Sequence, residues 1–289
     1  MVGVARACRT HFILVATGAA GVLAALLLCG VQAARAAAAR AACQNHLRQV
    51  AVALHAHHDR HGGLPPGPDT RSTPGLSWMG HLLPEVGQEP LWTATRAAYR
   101  ADWVPFHVPP HVGYRTGVAV YACPADGRLP GPLTDRLGVT AAYGSYLGVA
   151  GGAAADGPFD ASARRLAGVT DGTSQTLLVG ERPPPDALTA GRWYTASQDA
   201  GWGLARGPEG VMRVRMPASA ADPGCVGPVY GFRHGEPADP CDRYHFWSLH
   251  PGGANFAFCD GSVRFLPYSA DAVLPALATR AGGEVVAFD

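Results

Sequence analysis

FILVATGAAGVLAALLLCGV, residues 12–31, runs directly into QAARAAAARAACQNHLRQVAVALHAHHDRH, residues 32–61, and the way these fifty residues are read decides the fold. The first twenty carry no charge. As a helix they rise roughly 30 Å, the thickness of a bilayer's hydrocarbon core. Residues 33–61 contain neither Gly nor Pro, so nothing stops the helix at the membrane edge. Cys43, Leu47, Val50 and Leu54 stand at i, i+4, i+7 and i+11, a single helical stripe that needs a partner to bury it. Gly62, Gly63, Pro65 and Pro66 then end the helix.

The stripe's partner must come from downstream, where Gly and Pro are frequent and apolar runs are short. Strands are predicted at 117–123, 175–181, 210–216, 255–259 and 284–288, a turn at 169–174 and a short helix at 271–280. Residues 62–75, 105–113, 151–165 and 217–243 read as long loops. The resulting class is α+β: a long N-terminal helix whose first half is membrane-embedded, packed on a mostly antiparallel sheet. The chain divides into a cytoplasmic N-terminus (1–11), a transmembrane segment (12–31), a helix continuation (32–62) and an extracytoplasmic β-rich domain (63–289).

Arg6 and Arg9 before the apolar run favour a cytoplasmic N-terminus, although Arg35, Arg40 and Arg48 follow it. A cleaved signal peptide is the rival, with small-residue sites at 31–33 and 34–36. A lipoprotein is disfavoured, because Leu28 precedes Cys29 where a small residue is expected. The expected location is the inner membrane, single-pass, with membrane lipid around 12–31 and most of the chain in the periplasm or at the cell surface.

Several chemistries are excluded by composition. The 289-residue chain has a formal charge of +1, which marks no nucleic-acid partner. All 23 basic residues are arginine, so no lysine-dependent chemistry is available. The seven cysteines form no C-x-x-C pair, and the five after Cys29 suit disulfides in an oxidising compartment. Cys225 and Cys241 flank a Pro/Gly-rich loop that a disulfide between them closes, leaving Cys259 buried and free.

HPGGANFAFCDG, residues 250–261, sets a histidine and an Asp-Gly pair around an apolar run. Asp260 and Gly261 have the composition of a two-residue type I′ hairpin turn. In the strand before it, Phe256 and Phe258 share one face and Ala257 and Cys259 the other. In LHAHHDRH, residues 54–61, His57 and His61 stand at i, i+4, a spacing that chelates zinc, but two ligands are short of a usual site. The expected role is a polar helix end with charged histidines near the C-terminal dipole. Asp171 is expected to cap its own turn, with Gly172 beside it. Glu181, at a strand end, has Arg182 or Arg233 as expected partners. Ser174 lacks a nucleophile-elbow setting, and 148–152 is not a phosphate loop. No metal, cofactor or catalytic residue is expected. Six dispersed tryptophans read as core, unless several converge on one groove as a sugar platform.

The order of these pieces resembles a pilin-like family of domain-of-unknown-function proteins whose hallmark is His, nine residues, then Asp-Gly, here His250, Asp260 and Gly261. Stretches 31–67, 77–92, 121–126, 143–152, 169–182 and 277–286 are similar as well. The resemblance implies a prepilin-like N-terminus and a helix-to-sheet disulfide Cys43–Cys123, and it brings no established activity; the family has also been filed with solute-binding proteins. Its leader pattern of Gly, Phe and a Glu five residues into the mature helix is replaced by Ala7, Cys8 and Phe12. No acidic residue precedes Asp59. An uncleaved anchor that does not polymerise alone through this helix is therefore expected. The functional expectation is a pseudopilin-like structural or interaction protein of a secretion or cell-surface system, assembling with itself or with that system's proteins. The alternative is an extracytoplasmic solute- or carbohydrate-binding protein.

Overall fold

The computed structural model describes residues 2–66, 73, 75–154, 156–159, 165–196, 209–217, 224, 225, 227 and 229–284; of residues 2–20 and 22 it describes the backbone alone. Helix α1 runs over Val2–His61. It has the length and composition to cross a membrane, and none of its most apolar window is buried. Two compact units divide within it, Met1–Ala41 and Ala42–Asp289. In the first, Leu23, Leu26, Leu27, Leu28 and Val31 are exposed. In the second, the expected stripe is fully buried: Cys43, Leu47, Val50 and Leu54 pack in one core with Ala257 and Cys259.

Short helices α2 (Trp78–His81) and α3 (Glu89–Ala101) follow. Ser77 caps α2 by accepting from the Gly80 amide at 3.2 Å. Pro90, in the first turn of α3, loses no hydrogen bond there, because that turn's N–H groups have no intrahelical partner. A small hairpin pairs β1 (Pro132–Thr134) with β2 (Thr140–Ala142). The main sheet contains β3 (Tyr146–Val149), β4 (Leu177–Glu181), β5 (Val211–Met212), β6 (Gly253–Phe258) and β7 (Val263–Pro267), in the order β5-β3-β4-β6-β7. Among the described strand pairs only β3–β5 is parallel. Helix α4 (Leu274–Ala278) closes the described chain.

Strands β4 and β6 are buried on both faces. One face meets the α1 stripe; the other, with Ala254, Phe256 and Phe258, meets Leu274, Leu277 and Ala278 of α4. The alternation of Phe256 and Phe258 against Ala257 and Cys259 follows from the strand's period of two.

Three expectations are corrected. Residues 117–123 form no strand: Ala119–Tyr121 is a 3₁₀ turn, held where the Tyr121 hydroxyl donates to the Met79 carbonyl at 2.7 Å and Cys123 is tied to α1. Packing overrides the β-preference of its valines. The strand expected over 210–216 is only Val211–Met212. The hairpin at Asp260-Gly261 is not type I′. Gly261 donates to the Phe258 carbonyl at 2.9 Å, Phe258 donates to the Ser262 carbonyl at 2.9 Å, and Gly261 has positive φ while Asp260 does not. This is a type I turn with Gly261 at the left-handed bulge position. The strand expected at 284–288 lies, beyond Glu284, outside the described residues, as does Trp202.

Candidate functional site

His250 and the Asp260-Gly261 pair stand beyond opposite ends of β6. A six-residue strand spans roughly 20 Å, so they cannot act on one atom. His250 is buried, and its Nε2 lies 3.4 Å from Glu181 Oε1 and 3.5 Å from Cys123 Sγ. Glu181 Oε2 accepts from the backbone N–H of Asn255 at 2.6 Å and from its Nδ2 at 3.0 Å. Gln44 Nε2 of α1 donates to Asn255 Oδ1 at 3.0 Å. The Cys43–Cys123 disulfide closes this cluster, with Cα atoms 5.1 Å apart. Four chain segments, α1, β4, β6 and the loop at Cys123, thus converge on one buried carboxylate. Glu181 takes His250 and Asn255 as partners in place of the expected Arg182 or Arg233.

The other motif residues fasten loops. Asp171 does not cap its own turn: its carboxylate accepts from the amides of Gly282 at 2.7 Å and Gly283 at 2.9 Å. The turn reverses at Gly172, φ 98°, and the Asp260 and Cys259 amides donate to the Thr173 and Thr176 carbonyls at 3.0 and 2.8 Å. Asp260 Oδ1 accepts from the Ser262 amide at 2.8 Å, closing the hairpin tip. Burial and the neighbouring Asp260 push the Cys259 thiol far up, so it is inert as a nucleophile. Cys225–Cys241 forms the second disulfide, across 16 residues.

The last turn of α1 behaves differently. His57 and His61 have ring centroids 4.3 Å apart, and Glu85, from the segment between α2 and α3, completes a set of donors all within 4.8 Å of one another. His57 is 8% exposed and the Glu85 side chain 1%. Burial, then the nearby His61, His81, Arg60 and His58, depress the His57 pKa to about 4. His57 is therefore neutral near pH 7, contrary to the expected charged helix end. Its Nδ1 has no hydrogen-bond partner among the described residues, and neither has Glu85 Oε2, while Oε1 accepts from Arg60 at 2.8 Å. These residues line a groove of about 530 Å³ together with His81, Trp92 and Arg96. Its remaining neighbour in the helix, His58, is engaged elsewhere, accepting from the Leu166 amide at 3.2 Å.

Sequence reasoning missed Glu85, because a helical i, i+4 pair says nothing of a residue 24 positions on. The five described tryptophans form no platform: Trp78, Trp193 and Trp247 are buried in the core, Trp103 is exposed and Trp92 alone of the five lines the groove.

Compared with known proteins, residues 32–273 match a family model described as a protein of unknown function, DUF1559, whose short label places it among bacterial solute-binding proteins. No curated protein and no solved structure matches the chain.

Proposed function

Because the chain belongs to the DUF1559 family, we propose that it is a single-pass, membrane-anchored protein of the inner membrane whose β-rich domain faces the periplasm or cell surface and serves a non-catalytic, pseudopilin-like assembly role. The observation that carries this reading is the division of labour along α1. Its leucines at 23 and 26–28 face outward, the arrangement suited to lipid, while the stripe from Cys43 to Leu54 is the floor of a protein core. The buried staple of Gln44, Asn255, Glu181 and His250, with its disulfide, holds the later part of the helix to the sheet. The partners that fit are membrane lipid around 12–31, further copies of the chain, or proteins of a secretion system.

N-terminal sequencing and intact mass of protein extracted from membranes test the reading. A chain retaining residues 1–31 is expected. A start at Cys8 would mark leader processing and restore entry into a filament. A start near Ala34 or Ala37 in the soluble fraction would overturn the anchor. It would favour the second reading, an extracytoplasmic solute-binding protein, which the groove beside His57 supports.

A further inference from the structure

We propose that the end of α1 is a binding site for a divalent transition-metal ion of the zinc class, with His57, His61 and Glu85 as ligands. Buried polar atoms are nearly always paired, and each exception asks for an explanation. Here two exceptions, Nδ1 of His57 and Oε2 of Glu85, occur in residues that line the same groove. Neither belongs to the staple around Glu181. A metal ion accounts for both at once, because each is a lone-pair donor and neither has a proton donor opposite it.

The donor set is chemically coherent. Two imidazoles and one carboxylate are a three-ligand zinc set, leaving a fourth position for water. Imidazole suits zinc, copper and nickel, whereas magnesium and calcium prefer all-oxygen cages. Zinc–ligand bonds of about 2.0–2.1 Å put tetrahedral ligand atoms roughly 3.3 Å apart. The donors stand within 4.8 Å of one another, so closure asks for side-chain shifts of up to about 1.5 Å. His61 is exposed at the helix end, where such rotation meets little resistance. Arg60 holds Glu85 through Oε1 at 2.8 Å, which fixes the carboxylate and leaves Oε2 to the metal. His81 lines the same groove.

The site is independent of the assembly reading, and either stands without the other. The test uses the full chain in detergent, purified without a polyhistidine tag, stripped with EDTA and titrated with Zn²⁺ alone. One equivalent is expected to bind with a dissociation constant of about 1 μM or tighter. His61→Ala, at an exposed position, and Glu85→Gln, which keeps the shape of the side chain, are each expected to weaken binding roughly tenfold or more. Co²⁺ in place of Zn²⁺ is expected to give a tetrahedral absorption band that both variants lose. Absence of saturable Zn²⁺ uptake by the wild type overturns the proposal. So does uptake that both variants retain undiminished.

Discussion

Two histidine–glutamate pairs lie at either end of the buried stripe of α1, and they are built in opposite ways. His250 and Glu181 are both inaccessible, Glu181 Oε2 receives both Asn255 donors while its Oε1 makes no hydrogen bond among the described residues and has His250 Nε2 at 3.4 Å, and the neighbouring thiols are locked in a disulfide. His57 and Glu85 are equally buried at their side chains but open onto a groove, and each keeps an atom without a partner. An enclosed carboxylate ringed by His250, Asn255 and a disulfide makes a staple; a buried carboxylate and imidazole in the wall of an open groove make a ligand site. The hallmark-like residue sits in the staple, whereas the chemistry sits where the motif is silent.

The largest effect that sharpens this contrast concerns the Cys43–Cys123 bridge, which closes a separation of 80 residues. On the chain-entropy account, replacing both cysteines by serine costs about 4.5 kcal/mol, read by denaturant unfolding of the oxidised protein. The same exchange at Cys225 and Cys241, 16 residues apart, costs about 3 kcal/mol. Equal losses would show that loop closure is not what the first bridge contributes.

Acid titrates the groove. His57 is held near pKa 4 in the fold and returns to the ordinary value of 6.5 on unfolding. A base depressed in the native state contributes fully above pH 6.5, and that contribution is lost as pH falls toward 4, where the unfolded chain binds the extra proton. After allowance for solvent screening the loss is about 2 kcal/mol. His57→Gln should flatten this part of the stability–pH curve of EDTA-treated protein. An unchanged slope would place the titration on another group.

A smaller effect is expected at the hairpin tip. Gly261 has φ 85°, and the nearest atom to an added Cβ is His55 Nε2 at 3.7 Å, so there is no clash and only backbone strain. Gly261→Ala should cost about 1 kcal/mol in thermal unfolding and leave zinc uptake unchanged. A loss of uptake would tie the hallmark-like pair to the metal and break the contrast.

How much of this is legible in the chain depends on the range of the interaction. The stripe from Cys43 to Leu54 was readable because helical periodicity is local, and the hairpin at Asp260-Gly261 because its composition is. The turn type was not, since it depends on the register of β6 against β7 and on Thr173 and Thr176 meeting the tip. Helix α3 is signalled locally by Glu89 and Pro90 in its first turn. Residues 117–123 have strand composition, yet tertiary ties at Tyr121 and Cys123 decide otherwise. Half of the groove pair was visible as His57 and His61. Glu85 was not, because only the fold brings residues 57 and 85 together.

The most direct test crosses the two regions in one set of thermal melts: wild type, His250→Ala and His61→Ala, each with EDTA and with excess Zn²⁺. Removing His250 strands a buried carboxylate and should cost about 4 kcal/mol, lowering Tm by roughly 10 °C with or without metal. The Zn²⁺-dependent rise should remain as large as in the wild type. His61→Ala should leave the EDTA melt within about 2 °C of the wild type, as befits an exposed residue, and abolish the Zn²⁺ rise. The reverse pattern, a Zn²⁺ rise lost in folded His250→Ala and kept in His61→Ala, would contradict the assignment of staple and ligand site.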